Sequence, residues 1–139
     1  MKARNRKAGT RKAVPAVRRR KAAAVGVKRA YQKPAAADGI RILIDRLWPR
    51  GVSKTVLAVD LWPRDLAPTT ELRKWYGHQP HRFAEFRRRY RRELAEHSER
   101  LAALRDLIRG RPATLVTATR ELDLSHATVL REMLATNSS

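Results

Sequence analysis

The segment over residues 45–51, with the sequence DRLWPRG, holds several chemically versatile side chains close together. The guanidinium groups of Arg46 and Arg50 can each grip a phosphate or carboxylate through two hydrogen bonds. Asp45 can orient one of them or act as a base, and Trp48 adds an aromatic face. This pattern predicts a binding site for a small anionic ligand. The alternative is structural: Asp45 pairs with an arginine to brace the loop, and Trp48 fills the core.

Two of the four histidines are candidates for proton transfer. His78 follows Gly77 in a predicted loop, and His126 opens the last predicted helix. An imidazole in a crevice can act as an acid or base, and the alternative for both is a structural histidine with satisfied hydrogen bonds. The candidate catalytic residues are therefore Asp45, His78 and His126, and the candidate ligand-binding residues are Arg46, Trp48, Arg50 and Arg73.

Several motifs of established chemistry are missing from the sequence. The chain has no Cys, which excludes a disulfide scaffold, thiol catalysis and zinc sites built on thiolates. Its histidines lack metal-ligand spacing, and it has no Gly-rich phosphate loop, nucleophile elbow or Walker lysine. We therefore predict no metal and no cofactor, and whether the protein is an enzyme stays open.

The elements that must position these residues alternate between strands and helices. Apolar runs predict strands over residues 25–31, 40–45 and 113–118. Asp45 then lies at the carboxyl end of the second strand, and His126 follows the third. Because ligands bind beyond the carboxyl ends of strands in open α/β sheets, we expect these two residues to meet at one rim.

The helices between these strands are indicated by capping residues and apolar periodicity. A long amphipathic helix is predicted from Pro80 onward, with a break near His97. Asp65 is expected to cap the turn that follows it. Further predicted caps are Ser53, Thr69 or Thr70, Ser98 and Ser125. Together the elements predict an α/β fold, a small three-layer-like domain with a short, mainly parallel sheet and a long amphipathic helix.

Length and charge divide the chain into two parts. A length of 139 residues supports one domain. The net charge is +19, and residues 1–30 hold 12 Lys or Arg with no Asp or Glu. Since this region also lacks aromatic residues, we predict a disordered basic arm over residues 1–24 and an α/β domain over residues 25–136. The densest basic cluster of the arm is Arg18, Arg19, Arg20 and Lys21.

Three interpretations of the basic arm stay open. It is a solvated tail, a non-specific nucleic-acid binder that acts by releasing counterions from phosphates, or an organelle transit peptide. No apolar run approaches the roughly 20 residues of a membrane span, so we expect no membrane contact and a cytoplasmic protein. The oligomeric state is not predicted.

The sequence resembles the YeaO-like family, a widespread bacterial domain of unknown function. The resemblance spans about residues 27–134 and is most specific over residues 45–54, DRLWPRGVSK. Further matching blocks are residues 66–68 (LAP), 71–75 (ELRKW), 77–78 (GH) and 86–90 (FRRRY). The resemblance implies a compact α/β fold, and it implies no established reaction, substrate or cofactor.

Two stretches depart from the pattern of that family. Family members tend to have Tyr-Ala-Ala-Lys-Asp where residues 117–121 read TATRE. They also tend to have His-Asn-His where residues 124–126 read LSH, so His126 alone is retained. If the family's site uses the missing groups, the site of this member is altered or inactive. The basic arm lies outside the resemblance.

Overall fold

The computed structural model describes residues 25–135 of the chain. The predicted basic arm, with Arg18, Arg19, Arg20 and Lys21, lies outside these described residues. Within them, one parallel sheet has the strand order β1–β3–β2, which confirms the predicted parallel sheet. Its strands are β1 (Val25–Arg29), β2 (Ile40–Leu43) and β3 (Ala113–Thr117).

The register of the sheet brings the carboxyl ends of its strands to one edge. Val25 of β1 and Ile40 of β2 both pair with Ala113 of β3. All residues of β3 are buried, because this central strand has a neighbour on each side and is covered on both faces. Each strand ends one or two residues earlier than its apolar run predicts. The extra residues lead out of the sheet into the loops beyond its carboxyl edge.

Helices fill the intervals between and after the strands. They are α1 (Lys54–Leu57), α2 (Thr70–Tyr76), α3 (Phe83–Ala95), α4 (Ser98–Ile108) and α5 (His126–Ala135). Short 3₁₀ turns cover Ala36–Asp38, Arg64–Leu66, Pro80–Arg82 and Leu122–Leu124. The hydroxyls of Ser53, Thr69 and Ser125 accept hydrogen bonds from the first-turn amides of α1, α2 and α5, so these three predicted caps are confirmed.

Two other predicted caps are wrong. Ser98 is the first residue of α4, and the capping position belongs to His97, whose side chain makes no capping bond. The predicted break near His97 is nevertheless present. Asp65 lies inside a 3₁₀ turn and forms an ion pair with Arg100 at 3.0 Å. Thr69 caps the next helix because it directly precedes the first turn of that helix.

The core consists of two apolar clusters on opposite faces of the sheet. Ile42, Ile44 and Leu115 point into the larger cluster, which packs against α2, α3, α4 and α5. Leu43 and Val116 point into the smaller one, with Ala30 from the loop after β1 and Leu57 from α1. This alternation follows from the pleat of the strands. The predicted α/β fold is therefore confirmed. One face of the sheet is covered by four helices, and the other face is covered only by the short helix α1 and loops.

A buried ion cluster ties α1 to the sheet. The guanidinium of Arg41 donates to Asp38 Oδ2 at 2.6 Å and twice to the carbonyl of Leu57. Lys28 Nζ also donates to Asp38 at 2.9 Å. Burial raises the pKa of Asp38, but the bonds from Lys28, the Ala35 amide and Arg41 outweigh it and lower that pKa below its ordinary value.

None of the helices in residues 25–135 is long and apolar enough to cross a membrane.

Candidate functional site

A cavity of about 370 Å³ opens beyond the carboxyl ends of β2 and β3. This volume falls within the range of small-molecule sites, and the location is the one expected for ligand binding in an open α/β sheet. All seven candidate site residues predicted from the sequence line it: Asp45, Arg46, Trp48, Arg50, Arg73, His78 and His126. The tryptophan–proline loop and the last histidine therefore meet at one rim, as the alternation of strands and helices predicts.

Asp45 and His126 form the centre of this cavity wall. Asp45 lies two residues beyond β2, and His126 is the first residue of α5. His126 Nε2 lies 2.9 Å from Asp45 Oδ1, which also accepts a hydrogen bond from the Thr117 hydroxyl at 2.6 Å. Asp45 Oδ2 accepts the backbone N–H of Ala118 at 2.8 Å. Three donors from two other elements thus fix the position of this carboxylate.

The hydrogen bonds around Asp45 determine its charge and the tautomer of its partner. Burial raises the pKa of Asp45, but the hydrogen bond and charge of His126, with the bonds from Ala118 and Thr117, lower it below the ordinary value. The group is therefore an ionised carboxylate at neutral pH and can only accept hydrogen bonds. His126 Nε2 must then carry a hydrogen. Its Nδ1 atom has no hydrogen-bond partner among residues 25–135.

Arg46 braces the wall of the cavity. Its Nε donates to the carbonyl of Pro68 at 3.1 Å and its Nη2 to the carbonyl of Ala67 at 2.9 Å. These bonds hold the loop after β2 against the segment that leads into α2. The predicted alternative, in which Asp45 pairs with an arginine, is wrong. Asp45 pairs with His126 instead, and Arg46 donates to backbone carbonyls.

Arg50 and Arg73 are the free cations of the site. Both are exposed, both line the cavity, and neither guanidinium forms a hydrogen bond or ion pair with any described residue. Arg50 lies in the loop after β2 and Arg73 in α2, so the two charges come from different walls. Their donors are available to a ligand.

His78 lines the cavity without joining the Asp45–His126 pair. It is exposed, and its φ of +57° follows a φ of +53° at Gly77, the capping residue that directly follows α2. Such a left-handed conformation is tolerated by glycine and, among other residues, more often by His, Asn and Asp. Its ring contacts that of Tyr76 at a centroid distance of 6.1 Å. Only two of the three candidate catalytic residues therefore contact each other.

The tryptophans support the loop that carries Asp45. Trp48 packs edge-on against Trp62 with ring centroids 5.4 Å apart, and both border the smaller apolar cluster. Trp62 Nε1 donates to the backbone carbonyl of Asp45 at 2.7 Å. Trp48 thus lines the cavity and also packs against the core, so the two interpretations of its role are compatible.

Several residues of the cavity wall were not predicted from the sequence. Thr117 could have been found, because it ends β3 beside the strand that leads to Asp45. Tyr76 and Phe86 stack with ring centroids 4.5 Å apart and provide an apolar wall. Phe86 lies on the buried side of the amphipathic helix predicted from Pro80 onward, but its spacing could not show that it also borders a cavity.

Metal binding has little support at this site. Residues 25–135 contain no group of three or more His, Asp or Glu side chains that could hold a metal ion. Asp45 and His126 are ligand types that metals accept, but their facing atoms are engaged with each other.

Comparisons with known proteins agree on one family. The model of a family described as the inactive DUF488-N3 subclade matches residues 24–139. The uncharacterized protein Rv3073c of Mycobacterium tuberculosis is 48% identical over 110 residues, covering 79% of this chain and 92% of its own. The uncharacterized protein YeaO of Escherichia coli is 42% identical over 107 residues, covering 77% and 93%. This confirms the resemblance to the YeaO-like family. No solved structure matches the chain.

Proposed function

The chain belongs to the DUF488-N3 family, in the subclade described as inactive, and we propose that its cavity binds a small anionic molecule without converting it. The description of the subclade favours binding over catalysis. The departures at residues 117–121 and 124–126 favour it too, because groups typical of relatives are replaced there. The Asp45–His126 pair then serves to recognise a ligand.

The observation that carries this proposal is the pair of unneutralised guanidiniums at the cavity. Arg50 and Arg73 each offer up to five donors in a planar fork that suits a carboxylate or phosphate. The one negative charge of Asp45 is outnumbered by the two guanidiniums, and its oxygens already accept hydrogen bonds from His126, Thr117 and Ala118. An anionic group at the rim thus meets two cations with free donors.

A thermal-shift screen of small carboxylates and phosphates tests the proposal. A compound present at about 100 times its dissociation constant stabilises the protein by about 2.7 kcal/mol, which raises the melting temperature by several degrees. Arg50→Gln and Arg73→Gln should each weaken binding of a hit about 10- to 100-fold, because each removes a charge-assisted hydrogen bond.

The matched control for these two substitutions is Arg91→Gln. Arg91 is also exposed but lies on α3 and does not line the cavity. This variant should bind as the unchanged protein does. Failure of every carboxylate and phosphate to shift the melting temperature, or unchanged binding in an Arg50→Gln, Arg73→Gln double variant, would contradict the proposal.

A second candidate function is non-specific nucleic-acid binding through the basic arm. The supporting observation is the charge distribution, with 10 of the 32 Lys and Arg residues and no Asp or Glu in residues 1–24. Each arm cation that neutralises a phosphate releases a counterion, so affinity should fall steeply as salt increases. The arm contains no aromatic residue for base stacking, so little sequence preference is expected.

Substitution of the densest arm cluster in the full chain tests this second function. Changing Arg18, Arg19, Arg20 and Lys21 to Gln should weaken DNA and RNA binding and reduce the slope of log affinity against log salt by about 3–4. Binding is measured by fluorescence anisotropy over a salt series. An unchanged affinity with an unchanged salt slope would remove the arm cluster from nucleic-acid binding.

A further inference from the structure

We infer that the wall of the cavity at His126 selects a hydrogen-bond donor on the ligand, so that the bound molecule is an aromatic anion carrying a hydroxyl or amine group. This inference rests on the proposed function, since it names the class of anion that the same cavity takes. It follows from the geometry of three contacts to Asp45 and from the rings that line the cavity.

The first step is the fixed tautomer of His126. The Ala118 amide and the Thr117 hydroxyl hold the Asp45 carboxylate in place, at 2.8 Å and 2.6 Å. That carboxylate accepts a hydrogen from His126 Nε2 at 2.9 Å. When His126 is in its neutral form, the imidazole has one N–H, at Nε2, and one lone pair, at Nδ1. A ligand group that meets Nδ1 must therefore donate a hydrogen bond.

The second step is the chemical character of the remaining walls. Tyr76 and Phe86 form a stacked aromatic pair along the cavity. Tyr31 and Leu47 line it as well and are 52% and 67% exposed, so both offer apolar surface to a ligand. Apolar walls with a few convergent polar groups suit a planar apolar body. The ligand then presents its ring to these walls and its anionic group to the guanidiniums.

Asp45→Asn provides a test because it should reverse the preference. The Ala118 N–H needs an acceptor, so the amide oxygen of the new residue must occupy the position of Oδ2. Its NH₂ group then faces His126 Nε2, which has to accept and therefore loses its hydrogen. The hydrogen moves to Nδ1, and the cavity now presents a donor to the ligand. Asp123→Asn is the matched control, since it makes the same substitution at an exposed carboxylate that does not line the cavity.

The experiment measures the binding of matched ligand pairs to the full chain by calorimetry. The pairs are para-aminobenzoate with para-cyanobenzoate, and para-aminophenylacetate with para-cyanophenylacetate. In each pair the amine donates a hydrogen bond and the nitrile accepts one. The second pair is longer by one methylene group between the ring and the carboxylate. All binding is measured at about pH 9. The unchanged protein and Asp123→Asn should bind the amine of at least one pair about tenfold more tightly than the nitrile. Asp45→Asn should prefer the nitrile.

The outcomes separate this inference from the proposed function. Donor selection is overturned if the unchanged protein binds amine and nitrile equally well, or if Asp45→Asn also prefers the amine. Either result leaves the proposal of anion binding intact. Binding of other carboxylates or phosphates but of none of these four overturns the aromatic class. If no anion of any kind binds, the proposed function falls as well. Should Asp45→Asn fail to fold, nitrogen chemical shifts of the His126 ring decide: a hydrogen on Nδ1 at this pH overturns the inference.

Discussion

Asp45 joins three parts of the chain at a single side chain. Its carboxylate accepts hydrogen bonds from the end of β3, at Thr117 and Ala118, and from the start of α5, at His126. Its backbone carbonyl accepts a fourth hydrogen bond from Trp62. Since these bonds favour the ionised form, the protonation of Asp45 is linked to the stability of the fold.

The contribution of Asp45 to stability should depend on pH in a defined direction. Because its pKa is lowered in the folded protein, the unfolded chain binds its proton more readily. The stabilisation is therefore complete above about pH 4, the ordinary Asp range, and is lost as pH falls through the folded-state pKa. The unfolding free energy of the unchanged protein minus that of Asp45→Asn should be large at about pH 5 and smaller at about pH 3.

Urea denaturation at both pH values measures this difference. Asp38 also has a lowered pKa, but it is present in both proteins and its contribution cancels. Asp123→Asn is the control, because the exposed Asp123 side chain makes no hydrogen bond or ion pair within residues 25–135. The unfolding free energy of the unchanged protein minus that of Asp123→Asn should stay near zero at both pH values. A difference for Asp45→Asn that does not change with pH would contradict the linkage.

For single residues, the sequence predicts that Asp45 and His126 lie together but does not predict every hydrogen bond of the site. Asp45 and His126 could be placed together because each follows a strand of a parallel sheet. The hydrogen bonds of Arg46 could not be predicted, because its acceptors lie 21 and 22 residues further along the chain. Long guanidinium side chains reach carbonyls that only the folded loop brings near. Thr117 looks like an ordinary β-branched strand residue until its hydroxyl is seen beside Asp45.

The turn that leads into β2 passes very close to the backbone that leads into β3. Gly39 connects the 3₁₀ turn Ala36–Asp38 to β2 with a φ of +66°. A Cβ atom at this position would overlap the backbone of Pro112, which precedes β3. The Ile40 N–H also donates to the Pro112 carbonyl at 3.0 Å. The amino ends of β2 and β3 can therefore approach this closely only with glycine at position 39.

Gly39→Ala should consequently destabilise the protein more than an ordinary glycine substitution. We expect a loss of about 3 kcal/mol or more, from left-handed backbone strain together with the overlap at Pro112. Gly110→Ala is the matched control, since its φ is +73° but no atom lies within 4 Å of the new Cβ. It should cost about 1–2 kcal/mol. Equal losses in thermal unfolding would show that the contact with Pro112 is unimportant.

Secondary-structure elements are predicted well where the residues that define them are close together in the sequence. Ser53, Thr69 and Ser125 were found because a cap acts within its own first turn. Ser98 was misplaced by one position, since the break between α3 and α4 is so short that His97 takes the capping place. The strand order could not be predicted, because parallel strands need not be neighbours in sequence.

The whole molecule is stabilised by two apolar clusters that share the central strand β3. The larger cluster lies under four helices, whereas the smaller one is closed by the single turn of α1 and the tryptophan loops. Leu57 is fully buried in the smaller cluster, and its carbonyl accepts two hydrogen bonds from Arg41. The thin side of the molecule therefore depends on a few side chains.

Leu57→Ala should destabilise the entire domain, because the smaller cluster shares its strands with the larger one. The expected loss is about 2–5 kcal/mol, the range for buried leucines. Unfolding in urea should keep a single transition. Val56→Ala, at a neighbouring position that is 62% exposed, should change stability by less than about 0.5 kcal/mol. A separate early transition in Leu57→Ala would show that the two faces unfold independently.

The hydrogen bonds of Arg46 to Ala67 and Pro68 have a kinetic consequence. They hold two walls of the cavity at a fixed separation by contacts within the protein itself. If the cavity binds an anion as proposed, these contacts reduce the rearrangement of the two walls that capture requires. Different anions should then associate at similar rates, and those of different affinity should differ mainly in how long they stay bound.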